Sequence, residues 1–175
     1  YTLSIISGLF LSSNILSAQN YCEPVSNCMI APIVDFSTTG ANVNISNYSS
    51  GCVGTSGYHF YYNKPLKSSV SDTIIINIVP GVPTHSIGYA IWIDWNYDGD
   101  FDDTGEEVWN SGTYVQGTVS DTIFLPSNVS VGLKRMRLRS NYFAVPISPC
   151  GNTSWGETED YPLLITLGSG TDMSM

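Results

Sequence analysis

The densest group of side chains that could bind a metal ion lies in an acidic stretch between residues 94 and 107, which holds seven of the fifteen carboxylates of the chain. Oxygen-bearing side chains occupy alternate positions in its first half: Asp94, Asn96, Asp98, Asp100 and Asp102. Calcium prefers six to eight oxygen ligands, and a tight loop can supply them from alternate residues. Without a cation, so many carboxylates would repel one another. The pattern therefore predicts a calcium-binding loop.

The acidic stretch matches an EF-hand loop only in part. Its opening Asp-x-Asn-x-Asp-Gly puts Gly99 at the sharp turn, but position twelve, a bidentate Glu in an EF-hand, is Gly105. Glu106 and Glu107 follow directly, and residues 89–93 before the loop have the composition of a strand. We expect a structural calcium ion on a β scaffold. A solvated acidic turn and a catalytic metal ion remain as alternatives.

The composition fits a single domain with a core of ordinary size. The chain has 175 residues, of which 42% are hydrophobic and only 12% are charged. The net charge of −9 is concentrated in the acidic stretch. Phosphate backbones are bound by basic surfaces, so we expect no nucleic-acid partner.

Short apolar and β-branched runs alternate with turn residues, and no long stretch has helical periodicity. The expected strands lie at residues 29–36, 41–46, 72–79, 87–95, 107–109, 118–125, 132–142 and 161–167. About eight strands with turns between them predict an antiparallel, jelly-roll-like β-sandwich. Residues 149–160 are expected to form the loop before the last strand.

Three arginines share one face of the strand expected at residues 132–142. Arg135, Arg137 and Arg139 occupy alternate positions of that strand. They could bind an anionic ligand, but we expect them to pair with carboxylates of the protein itself.

Three acids near the C-terminus are candidates for both the metal and the arginines. Alternation puts Glu157 and Glu159 on one face and Asp160 on the other. We expect one of these acids near the metal and another paired with Arg135 or Arg137. The full set of candidate metal ligands is Asp94, Asn96, Asp98, Asp100, Asp102, Glu106, Glu107 and Glu157.

The first eighteen residues have the apolar character of a secretory leader, with processing expected between residues 18 and 20. The basic leader segment is missing, so the sequence looks truncated at its start. A membrane anchor is the alternative, but serines dilute the run and its length is marginal for a span. The four cysteines allow three pairings, and an even number after an export signal favours disulfides. We expect a secreted or cell-surface protein with no membrane span in the mature chain.

An aromatic cluster is the main candidate for ligand binding. Tyr58, Tyr61 and Tyr62 lie close together in the sequence, and Trp155 lies in the loop before the last strand. These rings could form a platform on which a sugar stacks. The alternative is that they are buried against the edge of the sandwich.

Four motifs in combination resemble the GEVED domain family. They are Tyr21-Cys22, the run from Trp92 to Asn96 with Asp98-Gly99-Asp100-Phe101, Arg135-Met136-Arg137, and Cys150-Gly151 followed by Gly156-Glu157-Thr158-Glu159-Asp160-Tyr161. The resemblance covers residues 21–167, and Thr158 stands where the family name has Val. We therefore expect residues 1–19 to be the leader, 20–167 the domain, and 168–175 a linker or the start of a further segment.

The resemblance implies location more than activity, because one fold can host many functions. GEVED domains occur in secreted and surface proteins of Gram-negative bacteria, often beside peptidase, adhesion or sorting modules, and no catalytic residues can be carried over. Within this framework we predict disulfides between Cys22 and Cys150 and between Cys28 and Cys52. The first would attach the mature N-terminus to the loop before the last strand.

The sequence contains no motif of a nucleophilic or zinc hydrolase and no P-loop. His59 and His85 have no Ser or Asp partner that the sequence reveals. We therefore expect no enzyme. The two open hypotheses are a calcium-stabilised adhesion module that binds an extracellular glycan or protein, and an accessory or spacer domain of a secreted hydrolase such as a peptidase.

Overall fold

The computed structural model describes residues 20–144 and 148–168. The leader predicted at residues 1–19 and most of the predicted linker, residues 169–175, lie outside the described residues. The described residues contain no helix that is long and apolar enough to span a membrane.

Ten strands form two sheets, and this confirms the predicted all-β sandwich. In chain order the strands are β1 Ile33–Thr39, β2 Ser46–Asn47, β3 Tyr58–Phe60, β4 Leu66–Ser69, β5 Thr73–Pro80, β6 Ile87–Asp94, β7 Glu107–Asn110, β8 Val119–Phe124, β9 Gly132–Tyr142 and β10 Gly156–Thr166. One sheet has the order β2-β1-β5-β8. The other has the order β3-β10-β9-β6-β7, with β4 also paired to β10. All pairings are antiparallel except those of β10 with β3 and β4.

The main core lies between the two sheets, where alternate residues of each strand meet. On β5, Ile74, Ile76 and Ile78 point into this core, and Ile75 on the other face is half exposed. The six-stranded sheet differs, because every residue of β6 is buried. A strand with one solvated face would show alternation instead, so this sheet is also covered on its outer face.

The last strand begins earlier than its composition predicts. Residues 156–160 were expected in a loop, but they pair with β9 in register, from Gly156 opposite Asn141 to Ile165 opposite Gly132. The expectation was wrong because Gly, Asp and Glu are depleted in strands unless tertiary partners compensate them. The short strand β4 was also missed, since its sequence Leu-Lys-Ser-Ser carries no β-branched pattern.

Two disulfides join Cys22 to Cys150 and Cys28 to Cys52, the two pairs expected from the sequence. Their Cα atoms are 5.6 and 5.2 Å apart, which is ordinary for a disulfide. Such bonds persist in oxidising surroundings and point to an extracellular environment.

Gly156 starts β10 at a place where no side chain fits. A Cβ atom there would lie 2.3 Å from the carbonyl oxygen of Ser140 on β9. Because that oxygen belongs to the backbone of the neighbouring strand, the sheet itself would have to move. We predict that Gly156→Ala lowers the free energy of unfolding by about 1–3 kcal/mol, the usual cost of overpacking, measured by urea denaturation.

Gly168→Ala is the matched control, because a Cβ atom at Gly168 meets nothing within 4 Å. We expect this variant to stay within about 0.5 kcal/mol of the parent. Equal stabilities for the two variants would contradict the role assigned to Gly156.

Candidate functional site

The outer face of the six-stranded sheet carries five of the charged residues predicted to have a function. This outer face, the side turned away from the four-stranded sheet, is defined by Trp92 and Asp94 of β6, the three arginines of β9, and Thr158 and Asp160 of β10. In register, Arg137 stands between Trp92 and Asp160, and Arg139 stands opposite Thr158. Tyr21 and Phe101 fold over this face and form a second small core with Trp92. Charged side chains are thereby buried on a surface that would otherwise be solvated.

Arg137 and Asp160 form a fully buried ion pair at the centre of the outer face. Two guanidinium nitrogens of Arg137 donate to the two carboxylate oxygens of Asp160 at 2.7 and 2.9 Å, and both side chains have no exposed surface. The remaining donors of Arg137 reach the carbonyl oxygens of Cys22, at 2.7 Å, and Pro149, at 2.8 Å. The pair therefore fixes both segments that the Cys22–Cys150 disulfide joins.

The other two arginines extend this network in opposite directions. Arg139 donates to the Thr158 hydroxyl at 2.9 Å and to carbonyl oxygens of Ser148 and Gly151. Burial, and then the positive charge of Arg137, lower the pKa of Arg139 to about 10. Arg135 pairs with Asp160 at 3.2 Å, and its guanidinium lies between the rings of Tyr21 and Phe60 at 4.4 and 3.7 Å.

Asp94 holds the turn of the acidic stretch in place through hydrogen bonds to its backbone. It is fully buried, and its carboxylate accepts the backbone N–H groups of Tyr97 at 2.5 Å and Gly99 at 3.0 Å. The Tyr21 hydroxyl donates to the same carboxylate at 2.5 Å. Burial, followed by this hydrogen bond, raises the pKa of Tyr21 well above its usual value. Tyr97 and Gly99 both have positive φ, at 62° and 102°, which a tight turn requires.

Two carboxylates of the acidic stretch converge on one nitrogen atom. The Nδ2 of Asn96 lies 2.8 Å from Oδ2 of Asp98 and 2.7 Å from Oδ2 of Asp103. Asp103 was not among the expected ligands, because it breaks the alternation that singled out the others. Asp100 accepts the backbone N–H of Asp102 at 2.9 Å and so shapes the turn.

Glu106 closes the acidic stretch and is buried, whereas Glu107 is exposed and bonds to Asn110. Glu106 accepts the backbone N–H groups of Trp95 at 2.9 Å and Asp103 at 3.3 Å. Burial raises the pKa of Glu106 to about 7. Among residues 20–144 and 148–168, no three or more His, Cys, Asp or Glu side chains form a group that could hold a metal ion.

Glu157 and Glu159 point into the main core, away from the acidic stretch and the arginines. Glu157 accepts the backbone N–H of Ile33 at 2.6 Å, and burial followed by repulsion from Glu159 raises its pKa to about 9. Glu159 accepts the Tyr161 hydroxyl at 2.7 Å, and burial raises its pKa to about 7. The structure thus places Glu157 far from the expected metal ligands, and Asp160 alone pairs with Arg135 and Arg137.

The four aromatic residues expected to bind a ligand do not form one surface. Tyr61 is buried and stacks on Tyr161 at 5.4 Å. The Tyr58 hydroxyl donates to Asp160 at 3.0 Å. Tyr62 is exposed, and Trp155 is half exposed at the start of β10, where its ring contacts Tyr142.

Replacement of Asp160 tests the buried ion pair. Asp160→Asn keeps the shape of the side chain but leaves the charge of Arg137 buried without an anion, which costs about 3–5 kcal/mol. We expect this loss of unfolding free energy in urea denaturation. The control is Asp121→Asn on β8, where the carboxylate accepts the Trp109 indole N–H at 2.8 Å in an exposed position, and we expect less than about 1 kcal/mol there. A loss below about 1 kcal/mol for Asp160→Asn would contradict the central role of the pair.

The buried Glu159 makes stability depend on pH in a defined direction. Its pKa rises from 4.5 to about 7 on folding, so between these values the folded protein holds a proton that the unfolded chain has released. Stability therefore falls as pH rises from about 5 to 7, by up to about 1.4 kcal/mol per pH unit. We predict a shallower fall for Glu159→Gln, measured by urea denaturation in chelator. The raised pKa values of Glu106 and Glu157 contribute to the slope of both proteins, so identical slopes would show that Glu159 is charged in the fold.

Comparison with known proteins relates one part of the chain to a family. None of the curated proteins compared with the chain matches it. Residues 88–164 match the family model described as the GEVED domain, from β6 into β10. Residues 156–160, Gly-Glu-Thr-Glu-Asp, supply the close approach of Gly156 to β9, the buried Glu157 and Glu159, and the Asp160 partner of Arg137. Thr158 offers Arg139 a hydroxyl that Val would lack. The expected resemblance to the GEVED domain family is thus confirmed over residues 88–164.

Proposed function

We propose that the protein is a non-catalytic, calcium-stabilised module of a secreted or cell-surface bacterial protein that binds an extracellular glycan or protein. The observation that carries the calcium site is the convergence of Asp98 and Asp103 on the amide nitrogen of Asn96 at 2.8 and 2.7 Å. An amide N–H₂ between two carboxylates occupies a position that also suits a small cation.

The donor atoms around this position fit calcium. The oxygen and nitrogen of an Asn amide exchange places when the group turns over, and this would turn the Oδ1 of Asn96 toward a cation lying between the three side chains. Asn96, Asp98 and Asp103 would then hold the ion, and water would supply further ligands, as calcium sites allow. Asp94 supports the site by holding the turn rather than by binding the ion, because its oxygens already accept hydrogen bonds from Tyr21, Tyr97 and Gly99.

The non-catalytic assignment is supported by the surroundings of the two histidines. His59 packs on Tyr61 with ring centroids 4.4 Å apart, and His85 bonds through Nδ1 to the carbonyl oxygen of Ile30 at 2.7 Å. Neither histidine is placed beside a hydroxyl or thiol nucleophile in these contacts. The two disulfides and the predicted leader support export.

The second candidate function is an accessory or spacer domain of a larger secreted hydrolase. It is favoured by the burial of Tyr61 and the anchoring of Tyr58 to Asp160, which remove the expected sugar platform in that region. A surface that binds a defined ligand elsewhere on the domain would favour the first candidate.

Calcium titration tests the proposed site. Calcium added to the purified, chelator-stripped protein is expected to raise the melting temperature, with a gain of about 2.7 kcal/mol at a hundredfold excess over Kd. Calorimetry should show one site in the parent protein. Asp98→Asn and Asp103→Asn should each lose at least tenfold in affinity, because each removes a charged ligand.

Asp121→Asn is the control for the change in net charge, since its carboxylate lies on β8 and contacts Trp109. It should bind calcium as the parent does. An unchanged melting temperature in the parent protein would refute the calcium site. Full affinity in Asp103→Asn would refute the ligand set.

A further inference from the structure

Four aromatic rings form a continuous row at the end of the six-stranded sheet opposite to the acidic stretch. We call Tyr114, Phe143, Tyr142 and Trp155, in this spatial order, the aromatic row. Successive ring centroids lie 5.3, 4.5 and 6.1 Å apart, and the rings meet edge to face. Only Trp155 of this row was among the residues expected to bind a ligand.

The aromatic row is open to solvent along its length. Tyr114, Phe143 and Trp155 are 47%, 56% and 46% exposed, and Tyr142 in the middle is partly buried. Isolated exposed rings are common on protein surfaces, but a connected set of exposed rings is the usual mark of an interaction site.

The backbone holds the aromatic row in a fixed position. The N–H of Tyr142 donates to the carbonyl oxygen of Trp155 at 3.1 Å, and the N–H of Phe143 donates to that of Ser86 at 3.0 Å. The ring of His85 packs beneath Tyr142 at 5.2 Å. The rings are therefore presented by paired strand ends, and a ligand would not have to order a loose loop.

Phe143 is held in a conformation that disfavours its residue type. Its φ is +52°, in the left-handed region that bulky residues rarely adopt. The same residue keeps its ring 56% exposed, so burial of the side chain does not compensate the backbone cost. Such strain occurs most often at functional positions.

The chain segments that carry the aromatic row and its neighbours have an uncharged composition. These segments, residues 82–93, 108–120, 140–144 and 148–156, contain no Asp, Glu, Lys or Arg, although the chain as a whole has a net charge of −9. They are rich in Asn, Ser, Thr and Gln, which can donate and accept hydrogen bonds. A charged ligand would find no partner here, whereas a neutral ligand with many hydroxyl groups would.

We propose that the aromatic row is a binding site for a neutral carbohydrate chain. The apolar C–H faces of sugar rings pack on exposed aromatic faces, and sugar hydroxyls bond to neighbouring Asn, Ser, Thr and Gln side chains. This inference rests on the proposed function as a binding module and specifies its ligand class. β6 is eight residues long, so roughly 25 Å separate the row from the acidic stretch. Carbohydrate binding is therefore independent of calcium as long as the domain stays folded.

Affinity electrophoresis in native gels tests this site, because the net charge of −9 makes the full chain migrate well. The probes in the gel are hydroxyethylcellulose, xyloglucan and glycogen as neutral polysaccharides, with alginate as the anionic comparison. A pull-down assay tests binding to insoluble cellulose and chitin. We expect retardation or retention by at least one neutral probe and none by alginate. Trp155→Ala and Phe143→Ala should each weaken binding about tenfold.

Phe124→Ala is the matched control, since Phe124 is 74% exposed on β8 of the other sheet. It should bind as the parent does, and melting temperatures establish that every variant is folded. The parent should bind equally with chelator present at a temperature below its melting point, which separates failure of this site from failure of the calcium site. Three results would overturn the proposal: no binding to any neutral probe, unchanged binding in both ring variants, or a dimer that Trp155→Ala disperses in sedimentation.

Discussion

The buried pair of Arg137 and Asp160 is the interaction on which the outer face of the sheet depends. A bidentate pair with no exposed surface tolerates no missing hydrogen bond, because an unpaired buried charge is costly. The carbonyl oxygens of Cys22 and Pro149 complete the shell of Arg137, so the N-terminal segment must lie across the sheet. That segment carries Tyr21, whose hydroxyl reaches Asp94 and whose ring packs on Phe101 at 5.3 Å. Contacts from the N-terminal segment thus position the acidic stretch.

The two proposed binding regions lie at opposite ends of one sheet. At one end, β6 leads into the acidic stretch, whose turn is shaped by the buried Asp94. At the other end, the starts of β6 and β10 and the end of β9 present the aromatic row. The sheet between them, which is covered by the segments that the Cys22–Cys150 disulfide joins, supports the acidic stretch and the aromatic row. Binding at one of these regions does not involve residues of the other. A domain of this kind would suit the proposed binding or spacing role, and its two disulfides fit an extracellular environment.

The alternation of apolar and polar residues predicted most of the fold, because the strands that line the main core bury every second side chain. The strand β9 was placed within its observed bounds, and the arginine face and the opposed faces of Glu159 and Asp160 followed from the same alternation. The start of β10 was missed, since its acids resemble a loop until Arg137 and the backbone of β1 compensate them. Asp103 was missed for another reason: its approach to Asn96 depends on how the loop closes, which no sequence spacing records. The aromatic row joins residues from three separate segments, and only the folded sheet brings these together.

We propose that a cation can take the place of the Asn96 N–H₂ group between Asp98 and Asp103, in a loop whose turn is held by Asp94. The most direct measurement is a crystal structure grown in excess calcium, with an anomalous difference map. We predict a peak about 2.3–2.6 Å from oxygen atoms of both Asp98 and Asp103, with the Asn96 amide turned over. A map with no peak in the loop, and the amide nitrogen still between the two carboxylates, would contradict the account.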